Sequence, residues 1–234
     1  TAMDGRGLEL RYDHLIVAVG SVSRTMNIPG LAEHAIGFKT LSQALELRNR
    51  LLQSFEAAEA TENPEERAAL LTFVFVGAGY AGLEGLAELQ DFAADAIDLY
   101  PRCRVQGMRW LLVEGGPRVM GEIQPSLAAF AERELMSRGI EIRCNTTVDR
   151  VEAAAVHLSS GERVPCRTVA WTAGGKANPA AASLGLPLDD RGRIKADAYL
   201  QVEGRANVWA LGDVAAVPDP AKRGQACPPT AQHA

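Results

Sequence analysis

The stretch FVFVGAGYAG, residues 73–82, runs an apolar segment into glycines at 77, 79 and 82. Only a residue without a β-carbon permits both a tight turn and a close backbone approach to a diphosphate. In this pattern Gly77 makes the turn, Gly79 lets phosphates come near, and Gly82 lets the following helix lie against the strand. The context is the one such a loop requires. Phe73–Val76 reads as a buried strand, and from Tyr80 onward Leu83, Leu86, Leu89, Phe92 and Ile97 fall near helical spacing. A helix starting at Tyr80 aims its free N–H groups and positive dipole end at the loop. Gly77, Gly79, Tyr80 and Gly82 are therefore candidate dinucleotide-binding residues. A plain strand–helix turn with glycines kept for packing would share this pattern, so the loop needs support elsewhere.

Support comes from Glu114, at the end of the next strand in WLLVEGG. A carboxylate there can accept hydrogen bonds from the adenosine ribose hydroxyls and would repel a 2′-phosphate, which favours NAD over NADP. Glu114 stands 32 residues after Gly82, where about 20 is usual. A longer helix and a PRCRVQG loop at 101–107 account for the excess. Arg118, close by in sequence, moderates the preference for NAD, and a solvated strand end is the alternative reading of Glu114. Glu84, two residues past Gly82, either complements the helix dipole or points toward the nicotinamide end of a coenzyme.

The remaining segments set this loop in an α/β chain. Leu15–Val19 is an apolar run ending in Gly20, the pattern of a strand buried on both faces. A Pro-Gly turn at 29–30 leads to a helix from Thr40 to Glu59, and the polar stretch Thr61–Arg67, with Pro64, reads as a loop. Strands are expected at Leu70–Val76 and Arg109–Glu114, with a helix at Tyr80–Tyr100 between them. A third helix is expected at Leu127–Arg138, stopped by Gly139. Short strands with a turn at Ser160–Gly161 follow, and a last strand enters a Gly-Asp turn at 212–213. Strand, helix, strand, helix, strands is the order of a parallel α/β sheet, and one domain sits inside the sequence of another.

Composition excludes several classes. The 234 residues are 47% hydrophobic and 23% charged with a net charge of −5, and without blocks of like charge nucleic acid is not an expected partner. No apolar run reaches the roughly 18 to 20 residues of a membrane span, which leaves a peripheral contact open. Cys103, Cys144, Cys166 and Cys227 are widely separated, as in reduced cytoplasmic thiols, and neither they nor the four histidines have metal-ligand spacing.

Gly212-Asp213, after the short apolar run VWAL, is by itself an ordinary turn whose aspartate can accept from a ribose or ribitol hydroxyl. Four motifs in order give it more weight: YDHLIVAVGS with Gly20, GAGYAGLE, WTAGG with Gly174, and VWALGD. Together they resemble the Rossmann-like two-dinucleotide-binding fold of pyridine-nucleotide flavin oxidoreductases, in which an NAD domain interrupts an FAD domain. The tail CPPTAQHA is similar to that of type II NADH dehydrogenases, the single-subunit NADH:quinone oxidoreductases.

That resemblance implies FAD-domain segments at 1–35 and 191–234 around an NAD(H)-binding domain at 36–190. It implies FAD and NAD as cofactors and NADH and quinone as substrates. Thr230 and Ala231 would lie beside the isoalloxazine, Gln232 nearest the approaching quinone, and Glu84 and Gln232 would position the reactants. The family's first glycine-rich motif is expected before residue 1, and its membrane-contacting part after Ala234. The chain is thus expected to be a piece of a longer protein that by itself at best binds NADH. The implied setting is the cytoplasm, with a peripheral contact on the cytoplasmic face of a membrane, and a homodimer is left open. Two other readings stand beside this one: a soluble flavin reductase serving a ferredoxin-like or disulfide acceptor, and a non-catalytic NAD-binding domain. No CxxC lies in the NAD segment, which argues against thioredoxin-reductase-like chemistry.

Overall fold

The structure is a computed structural model that describes residues 7, 9–23, 26–221 and 224–227. The chain divides into two compact units, one of residues 1–22 and 175–234 and the other of Ser23–Gly174. Its first strands are β1 (Leu15–Val17) and β2 (Ser21–Ser23). The second unit then runs α1 (Leu31–His34), β3 (Ala35–Gly37), α2 (Leu41–Ala60), α3 (Pro64–Leu70), β4 (Thr72–Val76) and α4 (Tyr80–Ala96). It continues with α5 (Pro101–Gln106), β5 (Arg109–Val113), α6 (Pro125–Ser137) and β6 (Ile140–Arg143). The hairpin strands β7 (Val148–Glu152), β8 (Ala155–Leu158) and β9 (Arg163–Pro165) come before β10 (Thr168–Trp171). After β11 (Gly175–Ala177) the chain forms β12 (Ile194–Lys195), β13 (Val208–Ala210) and β14 (Ala215–Ala216).

Among the described residues, five strands of the second unit form a parallel sheet in the order β3-β10-β4-β5-β6. The alternation of side chains along a strand gives β4 and β5 two buried faces. Phe73 and Phe75 on β4, with Trp110 and Leu112 on β5, pack among Leu47, Leu51 and Phe55 of α2 and Leu86 of α4. Phe73 stacks on Trp110 with ring centroids 4.6 Å apart. On the other face, Val74, Val76, Leu111 and Val113 meet Val151, Val156, Leu158 and Val164 of the antiparallel sheet β7-β8-β9. Continuous apolar runs in β4 and β5 are thus the mark of a sheet covered on both sides. Phe38 lies over α4 at Gly85, where a β-carbon would be 2.6 Å from its Cε1.

Several boundaries differ from the sequence reading, each for a definable reason. The polar stretch expected as a loop at 61–67 contains the start of α3. Asn63 Oδ1 accepts from the N–H groups of Glu65 and Glu66, and Pro64 needs no hydrogen bond at the first helical position. The expected loop at 101–107 is largely α5. It also begins with proline, and a carboxylate oxygen of Glu59 on α2 accepts from the N–H groups of Arg102 and Cys103. The helix expected to reach Tyr100 ends at Ala96 and tightens into a 3₁₀ turn over Ile97–Leu99.

The first unit has its own core of Val17, Ala181, Ile194, Val202, Val208, Ala210 and Val214. In it β1 runs parallel to β13, pairing Val17 with Ala210. Here the expectation of a strand buried on both faces does not hold among the described residues. Val17 is 4% exposed but Ile16, on the opposite face, is 62% exposed.

Candidate functional site

The loop after β4 is built as the glycine pattern requires. Gly77 takes φ +106°, a conformation open to glycine, and a β-carbon there would also lie 2.6 Å from the Ala173 nitrogen. Gly82, on the first turn of α4, presses its bare Cα against the loop, since a β-carbon would lie 1.9 Å from the Gly77 carbonyl oxygen. Gly79 differs from both. It caps α4 in extended backbone conformation, and a β-carbon on it would meet no atom of the protein within 4 Å. Packing therefore explains two of the three glycines, and no contact within the protein accounts for the third. The first N–H groups of α4 have no partner within the helix and face the same side.

Neighbouring segments fix the loop. The Gly77 N–H donates to Val113 O at 2.8 Å, and Met120 N–H donates to Ala78 O at 2.8 Å. Glu114 lies immediately after β5. Its Oε2 accepts from Ala78 N–H at 2.6 Å and its Oε1 from Gly116 N–H at 2.7 Å. From the end of β10, Thr172 Oγ1 reaches Val76 O at 2.9 Å and Gly77 O at 2.8 Å. Arg118 spends its guanidinium on Met120 O, Gly121 O and Ile123 O, so it organises its own loop.

Tyr80 and Glu84 lie one turn apart on α4 and border a groove of about 320 Å³. Leu83, Met120, Phe130 and Leu135 give it a mainly apolar lining. Glu84 is exposed. Gly174, which follows β10 and Thr172, has φ +74°. Thus Gly77, Gly79, Tyr80, Gly82, Glu84 and Glu114 cluster around one end of the parallel sheet.

In the other unit, Gly20 and Gly212 follow the paired strands β1 and β13 with φ +67° and +72°. Ser21 Oγ donates to Asp213 Oδ2 at 2.5 Å, joining the two turns. Asn178 braces the same place: its N–H donates to Gly20 O and its Nδ2 to Val19 O, each at 3.1 Å. Thr230, Ala231 and Gln232 lie outside the described residues.

A family model for pyridine nucleotide-disulphide oxidoreductases matches residues 1–234. The chain belongs to this family. Its fold is the Rossmann-like α/β fold of the pyridine nucleotide-disulphide oxidoreductases. A probable NADH dehydrogenase from Dictyostelium discoideum is 32% identical over 226 residues, which cover 96% of this chain and 49% of the relative. The type II NADH:quinone oxidoreductase NdhA of Mycobacterium tuberculosis is 34% identical over 217 residues, 88% of this chain and 46% of the relative. A solved structure of NDH2 from Plasmodium falciparum in complex with NADH superposes with a TM-score of 0.81 at 24% identity, covering 92% of this chain and 46% of that one. The chain spans about half the length of the curated relatives it matches.

Against this family background, the sequence reading overlooked three side chains: Thr172, Ser21 and Asn178. All three stood inside or beside quoted motifs, WTAGG and AVGS. A threonine following a strand, or a serine after a glycine, has no local sequence mark that distinguishes a brace from a solvated hydroxyl.

Proposed function

We propose that this chain forms the coenzyme-binding part of an FAD-dependent NADH:quinone oxidoreductase. The observation that carries the reading is Gly79, a glycine that the protein's own packing does not require, at the N-terminus of α4 and next to a carboxylate. The names of the relatives, NADH dehydrogenase and NADH:quinone oxidoreductase, support the same reading. When bound, NADH supplies a hydride, and the flavin accepts it and passes two electrons to a quinone.

The remaining work belongs to the chain. The glycine loop receives the diphosphate on the backbone N–H groups that follow Ala78, since those of Gly77 and Ala78 are held by Val113 O and Glu114. Glu114 accepts from the adenosine ribose hydroxyls on the lone pairs left by Ala78 and Gly116, and its charge disfavours a 2′-phosphate. Glu84 positions the nicotinamide end. In this reading the unit Ser23–Gly174 carries most of the NAD(H)-binding domain expected at 36–190, and the other unit carries most of the FAD-domain segments expected at 1–35 and 191–234. There Gly20 and Gly212 form backbone contacts, and Asp213, oriented by Ser21, accepts from a flavin hydroxyl, while Gly174 makes its cofactor contact where the NAD domain returns. Thr230 and Ala231 lie beside the flavin ring and Gln232 toward the quinone.

Among the described residues no helix is long and apolar enough to cross a membrane. A peripheral contact on the cytoplasmic face, through chain beyond Ala234, is part of the proposal, as is a homodimer.

The test is turnover of the complete protein carrying this chain with NADH and a soluble quinone, set against ferredoxin and disulfide acceptors. Faster reduction of the quinone supports the proposal, and equal or faster turnover with the other acceptors replaces it with a soluble reductase. A complete protein without flavin would leave only an NAD-binding domain.

A further inference from the structure

The hydrogen bonds around the glycine loop give two side chains a task that the dinucleotide motif does not assign them. Ala78 has both backbone groups engaged, its N–H by Glu114 Oε2 and its carbonyl by Met120 N–H. The Gly77 carbonyl is engaged by Thr172 Oγ1, and the Thr172 N–H donates to Val76 O at 2.9 Å. Glu114 bridges two loops, because its other oxygen holds Gly116. These residues come from the ends of three adjacent strands, β10, β4 and β5, so the brace spans the width of the loop.

A glycine-rich loop needs such support. Glycine loses more backbone entropy on ordering than any other residue, and a loop that must order as ligand binds loses affinity in proportion. Fixing Gly77 and Ala78 aims the N–H groups that follow them before the diphosphate is contacted.

We propose that Thr172 and Glu114 are positioning residues that preset the glycine loop in its phosphate-receiving shape, and that Glu114 does this in addition to any contact with ribose. The inference rests on the reading of this loop as the coenzyme site. It has a consequence for coenzyme preference. Replacing Glu114 by glutamine removes repulsion of a 2′-phosphate but leaves either Ala78 or Gly116 unheld, so Glu114→Gln weakens NADH binding, and NADPH gains less than the lost repulsion alone would give. A glutamine presents one oxygen and one NH₂, and can accept from only one of the two N–H groups through its former carboxylate positions.

The experiment compares the complete protein carrying this chain with its Thr172→Val, Thr172→Ser and Glu114→Gln variants. Amide hydrogen exchange over residues 77–82 is read without added coenzyme, and dissociation constants are measured for NADH and NADPH. Thr172→Val keeps the side-chain volume while removing the donor, which guards against simple loss of fold. The expected result is exchange faster by about fivefold, and an NADH Kd raised about five- to tenfold, in Thr172→Val and Glu114→Gln. Thr172→Ser, which retains the hydroxyl, stays within about twofold of the parent, as expected if the hydrogen bond matters rather than the methyl. Unchanged exchange in Thr172→Val and Glu114→Gln overturns the proposal. So does faster exchange with an unchanged NADH Kd. If exchange accelerates in a protein whose parent ignores both coenzymes, the brace stands and the coenzyme reading of the loop falls.

Discussion

Gly82 lies directly against Gly77: a β-carbon on Gly82 would come within 1.9 Å of the Gly77 carbonyl oxygen. The clash would be with backbone, which has no rotamer to yield. Gly82→Ala is therefore expected to destabilise the protein by about 1–3 kcal/mol and to displace the loop. Urea unfolding and NADH titration of the variant should both move.

Gly79→Ala provides the contrast. The protein has room for the added methyl group, and a glycine-to-alanine change at a helix cap costs under about 1 kcal/mol. Folding stability should be nearly unchanged while NADH affinity falls at least about tenfold, because the methyl occupies the path of the diphosphate. Unfolding curves that overlay, paired with a weakened titration, are the expected signature.

Ser21 and Asp213 test the other unit. The hydroxyl of Ser21 donates to the Asp213 carboxylate at 2.5 Å, and hydrogen bonds to charged groups are worth about 1.5–3 kcal/mol. Ser21→Ala should lower the flavin retained per chain after dialysis, and Asp213→Ala should lower it further. Visible absorbance of the dialysed complete protein gives the reading.

The cysteines predict a reactivity order. Burial pushes Cys166 up to about 12 and, with Glu59 nearby, Cys103 up to about 11. Neither forms appreciable thiolate at pH 8, so iodoacetamide should leave both unlabelled until the protein unfolds. Cys144 is partly accessible but also raised by burial. Peptide mass spectrometry should find Cys227 modified first.

Glu141 carries a pH dependence. Its hydrogen bond from Arg109 is the main influence holding its carboxyl below the usual 4.5, against an opposing effect of burial. The folded pKa is depressed, so this stabilisation is complete above the unfolded value and is lost as pH falls through the folded one. Both side chains are over a third exposed, which limits the pair to about 1 kcal/mol. Glu141→Gln should be slightly less stable than the parent at pH 7, with the difference closing in acid.

Much of the glycine loop's shape was legible because glycine leaves few alternatives. An apolar run into Gly77, Gly79 and Gly82 with a helix after it admits little besides a tight turn at a sheet edge. The position of Glu114 was legible from the apolar strand that runs into it. Its hydrogen bond from Ala78 was not, because Ala78 is 36 residues away in sequence and comes within reach only when β4 pairs with β5. Thr172 is 95 residues from Gly77. Two of the missed helices, α3 and α5, failed for a related reason. Proline and polar residues look like loop in a sequence window, and the carboxylate that caps α5, Glu59, comes from another helix.

Phe38 and Gly85 show how contact can constrain the order in which substitutions accumulate. The ring occupies the space that a side chain at 85 would need, so the two positions share one allotment of volume. Descent through this pair is directional. Unless the ring swings aside, a smaller residue replaces Phe38 before anything larger than glycine becomes established at 85. Among diverged members of the lineage, bulk at one position should be accompanied by its loss at the other.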